Sequence, residues 1–365
     1  TAPESHQNTG MVHVFDLDTG NLRYKAIKPF FPNATSVAPT EGNPQFASLG
    51  GGYEYSNISN IAVTDQFDTL VTTEQDILIR DNGEDIFILE YGGTLKHFRL
   101  ATAWDITSTP TSIVSISLPQ QSFINSNANE FRSFTIDPSG TKVLVRYEVS
   151  GVVNVHQFNL GTAWSLGSTL TDVGTFTNFP TDMSDSRGVR WAKNGEIICF
   201  GGNNLKERFG QATCSTAYDI TTIGTISSWT ISQLYGSDLD PNQTGSYWPW
   251  GSQYSDDGTK LFVSSVYGYD PVQFPLNDPY NPNNAVASSG PVLSNTTNDN
   301  FSSAHFADGG KYQISVRNTP NGDIGLFSTG SDPIGQDNYS DYFGEIITVN
   351  IHGIYVGHQE FSSAD

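Results

Sequence analysis

Leu100-Ala-Thr-Ala-Trp-Asp-Ile-Thr107 returns in altered form at three later points of the chain. It reads Leu160-Gly-Thr-Ala-Trp-Ser-Leu-Gly167, then Cys214-Ser-Thr-Ala-Tyr-Asp-Ile-Thr221, and more loosely Leu276-Asn-Asp-Pro-Tyr-Asn-Pro-Asn283. The aromatic positions Trp104, Trp164, Tyr218 and Tyr280 stand 60, 54 and 62 residues apart. A period of this length marks a stacked or radial repeat rather than a single wound sheet.

Upstream of each copy lie two short alternating runs joined by a tight turn. Ile77-Leu-Ile-Arg-Asp-Asn-Gly83 leads into Asp85-Ile-Phe-Ile-Leu-Glu-Tyr91, and Ser133-Phe-Thr-Ile-Asp-Pro-Ser-Gly140 into Lys142-Val-Leu-Val-Arg-Tyr147. Gly188-Val-Arg-Trp-Ala-Lys-Asn-Gly195 precedes Glu196-Ile-Ile-Cys-Phe200. Ser252 to Gly258 and Ala304 to Gly310 repeat the pattern before Lys260-Leu-Phe-Val263 and Lys311-Tyr-Gln-Ile-Ser-Val316. Asn-Gly, Asp-Gly and Ser-Gly between β-branched or aromatic runs signal hairpins, because these residues tolerate the positive φ of a tight turn.

Each unit therefore reads as four antiparallel strands, the third ending in Leu-x-Thr-Ala-Trp/Tyr. Such a sheet cannot bury both faces alone, so several must pack face to face around an axis, which predicts an all-β propeller. The phrase Thr-Ala-Trp-Asp-Ile-Thr, with the Asp257-Gly-Thr-Lys-Leu-Phe262 turn, resembles the repeat of propeller proteins among structural proteins of marine tailed phages and some secreted marine bacterial proteins. The resemblance spans about residues 76–330. It implies the fold more strongly than a role, since propellers serve many unrelated functions.

The predicted count is six blades, or seven if residues 1–75 and the last 25 divide differently. Residues 1–75 read as an arm, a hairpin around Asp18-Thr-Gly20 and an irregular first blade that includes Asn60–Asp65 and Asp68–Thr73. Residues 28–57 form a long Pro-, Gly- and Asn-rich excursion between them. Residues 76–365 supply five more blades, with Ile346–Ile351 and Ile354–Phe361 as spare strands for closing the ring, all in one propeller domain. Closure by a terminal strand removes an exposed edge.

The charge is −21, from 38 acidic and 17 basic residues. Such a surface repels phosphate backbones and anionic lipid, so neither nucleic-acid binding nor membrane insertion is expected, and it suits salty surroundings. No apolar run approaches the length of a membrane span.

For chemistry, the seven histidines show no metal-ligand spacing, and nucleophile-elbow, phosphate-loop and Cys-x-x-Cys motifs are absent from the sequence. Asp16-x-Asp18-x-Gly20 and Asp238-x-Asp240-x-Asn242 lack the full oxygen set of a calcium loop and read as Asx turns. Asp137, Asp256, Asp257 and Asp308 occupy turn positions of the repeat. No catalytic residue, metal or cofactor is assigned. The candidate ligand-binding residues are Tyr247, Trp248 and Trp250, whose flat faces suit sugar stacking or packing between blades. Trp104, Trp164, Tyr218 and Tyr280 are assigned to packing against the neighbouring blade. Cys199 and Cys214 are either a disulfide across an antiparallel pair or two buried thiols.

The functional expectation is a non-enzymatic structural or adhesive virion protein, a tail, fibre or capsid appendage on the extracellular particle surface. Its partners would be other virion or filament subunits, itself included, or a host surface glycan. The second reading is a secreted or cell-surface glycan-binding propeller, and the third a propeller glycosidase or lyase with acids converging on the channel.

Overall fold

The computed structural model describes residues 11–15, 22–27, 59–64, 67, 73–202, 208–230, 248–266, 272–285, 301–317 and 323–329. They fall into two compact units. In the unit formed by residues 1–50 and 334–365, β1 (Met11–Phe15) and β2 (Leu22–Ile27) pair as an antiparallel hairpin. Among its described residues, the unit of residues 51–333 contains β3 (Ser59–Thr64) and eighteen further strands arranged as five blades.

Blade I is β4 (Glu74–Ile79), β5 (Asp85–Glu90), β6 (Thr94–Arg99) and β7 (Thr111–Ser117). Blade II is β8 (Ala128–Ile136), β9 (Lys142–Val149), β10 (Val152–Leu160) and β11 (Leu170–Phe176). Blade III is β12 (Val189–Ala192), β13 (Ile197–Gly201), β14 (Arg208–Thr213) and β15 (Ser227–Thr230). Blade IV shows β16 (Trp248–Tyr254), β17 (Lys260–Val266) and β18 (Val272–Pro275) among the described residues. Blade V is β19 (Phe301–Ala307), β20 (Tyr312–Arg317) and β21 (Ile324–Ser328), completed by β3. All neighbours within a blade run antiparallel.

The propeller expectation holds, but among the described residues the count is five blades and not six or seven. The run assigned to a first blade is the cause. Its strand Ser59–Thr64 pairs with Ile324–Ser328 as the outer strand of the last blade, so it heads no blade of its own. Ring closure thus uses a strand from early in the chain. The proposed closing strands at 346–351 and 354–361 lie outside the described residues, as do the excursion at 28–57 and both calcium-like fragments.

The first strands β4, β8, β12, β16 and β19 touch one another in sequence, and β19 returns to β4, so they form the inner ring. The second strands β5, β9 and β13 bury both faces, whereas the outermost strands β7, β11 and β15 are half-exposed. Along β5, Ile86 and Ile88 pack toward blade V while Phe87 and Leu89 pack toward blade II. Along β13, Ile198 and Phe200 join the core with blade II, and Ile197 and Cys199 join the core with blade IV. The two-residue period of a strand thus sends alternate side chains into successive inter-blade cores. At about 1.5–3 kcal/mol for each large apolar side chain removed from water, these layers are the main stabilising force of the ring.

The repeated aromatic residues join the turns to this packing. Trp104, Trp164, Tyr218 and Tyr280 all have positive φ, between 56° and 64°. Their backbone N–H groups donate to the carbonyls of Gly83, Gly140, Gly195 and Gly258, at 2.7–2.9 Å. Each ring lies so close over its glycine that a Cβ there would stand 2.2–2.3 Å from a ring atom. The rings also reach the blade before. Trp104 stacks on Tyr312 with centroids 4.0 Å apart, Trp164 lies 5.9 Å from Phe87, and Lys142 sits 5.4 Å from the Tyr218 ring. Side-chain amides of the preceding blade fasten the same loops. Gln157 on β10 donates to the Tyr218 carbonyl and accepts from the Ile220 N–H, and Gln211 on β14 donates to the Tyr280 carbonyl.

Candidate functional site

The inner strands end at the turns of the hairpins, and there they line a cavity of about 360 Å³. Every blade contributes to its lining. Its rim carries Arg80 and Asp81 from blade I, Lys193 and Asn194 from blade III, and Asp256 from blade IV. Its walls include Trp164, Trp191, Tyr218 and Tyr254, and its deeper groups are Thr135, Arg190, Gln253 and His305.

Arg190 is fixed by a buried ion pair that crosses from blade III to blade I. Its Nη1 donates to Asp76 Oδ2 at 2.7 Å and its Nη2 to Asp76 Oδ1 at 2.6 Å, and both residues are almost wholly buried. Blade II fills the space between them: Ser133 Oγ and the Phe134 N–H donate to Asp76 Oδ2, at 2.7 and 3.0 Å. Arg190 Nη1 also donates to the carbonyls of Phe134 and Val189. Two-point pairing of this kind fixes the plane of the guanidinium as well as its charge. Arg190 Nε has no hydrogen-bond partner among the described residues.

His305, on β19, donates a ring N–H to the Ile79 carbonyl and leaves Nδ1 unpartnered among the described residues, which assigns the proton to Nε2. The protein packed around this ring pushes its pKa down to about 3, with the charge of Arg190 acting in the same direction. The imidazole is therefore neutral across the physiological range, with an acceptor lone pair at Nδ1. Trp191 Nε1 is a further buried donor without a partner among the described residues. Burial raises the Tyr218 hydroxyl to about 12, helped by the charges of Asp137 and Asp256. Burial holds Tyr254 well above its ordinary value, and its hydroxyl donates to Gln211 Oε1.

The turn carboxylates act within the fold. Asp137 accepts the N–H groups of Thr141 and Lys142, and Asp257 accepts that of Thr259. Among the described residues no group of three or more His, Cys, Asp or Glu side chains is arranged to hold a metal ion.

The sequence-assigned aromatic site sits elsewhere. Tyr247 lies outside the described residues, and Trp248 begins β16. Trp250 lies near the start of that strand, whereas the cavity lies at its end. The guanidinium carbons of Arg132 and Arg187 lie 5.5 and 5.8 Å from the Trp250 ring centre. Its carbonyl presses on Gly188, where a Cβ would meet it at 2.3 Å. Cys199 and Cys214 are free, buried thiols. The strand register places Gln211 opposite Cys199, and Cys214 packs into the core with blade II while Cys199 packs into the core with blade IV. The two thiols therefore occupy opposite faces of one blade, which forbids a bond between them.

Sequence reasoning does not single out Arg190 and His305. The available signal is a charged or titratable residue inside an apolar inner strand, as in Val189-Arg190-Trp191 and Ala304-His305-Phe306.

No protein-family model matches the chain, and no curated protein matches it in sequence. Among solved structures it is similar to a luciferin-regenerating enzyme, at 11% identity and a TM-score of 0.43, over 74% of this chain and 94% of that one. That neighbour is a propeller enzyme. The expectation of a non-enzymatic virion appendage is withdrawn: the comparisons give no support to a virion or adhesive role, and a solved propeller to which the chain is similar is an enzyme. At this identity and score the likeness transfers no activity to the present chain.

No helix among the described residues is long and apolar enough to cross a membrane.

Proposed function

We propose that this propeller binds a small organic molecule in the cavity at the hairpin end of its inner ring. The observation that carries this reading is the pairing of an open-mouthed cavity with buried polar atoms of its lining residues, Arg190 Nε and His305 Nδ1, that the described protein leaves unsatisfied. Leaving such an atom buried without a partner costs about 1–3 kcal/mol, and a ligand that completes the bond recovers part of this. The volume falls in the range of small-molecule sites, and the mixture of flat aromatic walls with a few fixed polar groups is their usual composition. Convergence of five blades on one space also gives the lining a rigid support.

A ligand-observed NMR screen of a fragment library tests the reading. Pro138 lines the cavity and is exposed, so Pro138→Trp places a large side chain at its edge. Fragments that bind the wild type and fail to bind Pro138→Trp are the expected result, with thermal unfolding as the check on folding. Fragments that bind both proteins equally would overturn it.

A further inference from the structure

Two hairpin turns of the ring carry the same dipeptide, Asn82-Gly83 in blade I and Asn194-Gly195 in blade III, and hold it differently. In blade I the Asn82 carboxamide is committed: Nδ2 donates to Asp85 Oδ2 at 2.9 Å, and Oδ1 accepts the N–H groups of Glu84 and Asp85 at 3.0 and 3.2 Å. Asp85 is itself anchored by Arg80, His97 and Arg99. In blade III the Asn194 side chain is exposed and makes no hydrogen bond among the described residues. The backbone differs as well. Lys193 and Asn194 both have positive φ, 48° and 52°, whereas in the turns of blades I, II and IV only the glycine does. A lysine held there carries backbone strain.

We propose that Asn194 is a modification site, converting spontaneously to aspartate and isoaspartate with water as the co-reactant. The Gly195 amide nitrogen bonds to Asn194 Cγ, the Cγ–Nδ2 bond breaks, and ammonia leaves with the amide proton. Water then adds to either carbonyl of the cyclic imide and opens it. Glycine favours the attack because it has no side chain to shield its nitrogen. With Asn194 ψ at 38° that nitrogen points away from the carboxamide, so the reaction starts from an opened turn. Opening blade III's turn breaks no carboxamide bond and relieves the strain at Lys193, whereas opening blade I's turn breaks three. The hold of the following aromatic residue is common to both, since Trp104 and Tyr218 donate to the Gly83 and Gly195 carbonyls at 2.8 and 2.9 Å.

The consequence falls on the cavity rim, where Asn194 stands with Arg80, Asp81, Lys193 and Asp256. A carboxylate replaces a neutral amide, which makes the local field more negative. The modification itself does not depend on the cavity being a ligand site.

Peptide-mapping mass spectrometry of the full chain, aged in mildly alkaline buffer at physiological temperature, tests the proposal. Synthetic peptides spanning residues 78–88 and 190–200 supply the unrestrained rate of each dipeptide. Relative to its peptide, Asn194 in the folded chain should convert ~tenfold or more faster than Asn82, as the loss of one or two hydrogen bonds on opening implies. The product should label with an isoaspartyl methyltransferase, and Asn194→Gln should abolish it while leaving Asn82 unchanged. Equal slowing of the two sites, faster conversion at Asn82, or an Asn194 that stays intact while its peptide converts fully overturns the proposal. The deciding comparison uses wild-type protein, so it stands whatever the variant does.

Discussion

Asp76 and Arg190 hold one another across the inner ring, a carboxylate of the first blade and a guanidinium of the third joined at two points over the strand that lies between them. Both are buried, and neither can be removed without stranding the other. Arg190→Met should therefore destabilise the propeller by about 3–5 kcal/mol, the usual cost of leaving half of a buried pair. Asp76→Leu with Arg190→Met should recover much of that loss, since an apolar pair leaves no uncompensated charge. Urea unfolding of the single and double variants checks both statements. A double variant no more stable than the single one would show that the pair does more than neutralise itself.

Gly195 and Gly151 have nearly the same backbone, φ +81° and +78°, but different surroundings. A Cβ on Gly151 meets nothing within 4 Å, so Gly151→Ala should cost about 1–2 kcal/mol from the left-handed conformation alone. A Cβ on Gly195 would stand 2.3 Å from the Tyr218 ring. Overpacking should add about 1–3 kcal/mol there. The difference between the two alanine variants in chemical denaturation measures the contact of the repeated aromatic residue with its turn.

Asp85 supplies an acid-sensitive contact. Burial alone would raise its pKa, but hydrogen bonds from Asn82, His97 and Arg99 outweigh it and hold the carboxyl at about 2, below its ordinary 3.8. A depressed folded-state value means stability that is present above about pH 4 and lost as the pH falls toward 2. The loss over that window should be at most about 2 kcal/mol. Asp85→Asn should be less stable at neutral pH and should show a shallower decline in unfolding free energy through the same range. An unchanged decline would assign the acid sensitivity to other carboxylates.

The two cysteines should be inert in the folded chain. Burial raises both thiols, Cys214 to about 11 with the Asp219 charge contributing, and only the thiolate reacts. A chromogenic disulfide reagent should label neither residue in native protein and both in denaturant. Reductant should leave the unfolding midpoint unchanged. Fewer than two reactive thiols after unfolding would contradict their reduced state.

Much of the fold is legible in the sequence because its signals are local. The glycine turns at 83, 140, 195 and 258 and the aromatic residues that return to them lie within one blade, and the strand period between them is short-range information. The blade count is not local. Nothing within Ser59–Thr64 distinguishes a strand that opens a blade from one that pairs with Ile324–Ser328, and that choice creates the extra blade. The site is less legible still. Asp76, Arg190 and His305 come from three strands distant in sequence and meet only when the ring closes, whereas Tyr247, Trp248 and Trp250 are conspicuous because they are adjacent. Clustering along the chain draws attention to the end of β16 away from the cavity.

The pairing of β3 with β21 also bears on how the protein is made. A chain synthesised from its N-terminus produces the fastening strand before any of the blades and its partner after nearly all of them. During translation, therefore, β3 has no native mate, and β21 emerges with an open edge that can pair with whatever extended segment is nearest. Closure joins segments far apart in the chain, so it should come late and slowly. Crowded nascent chains would then exchange this strand with one another before other parts of the molecule could mispair.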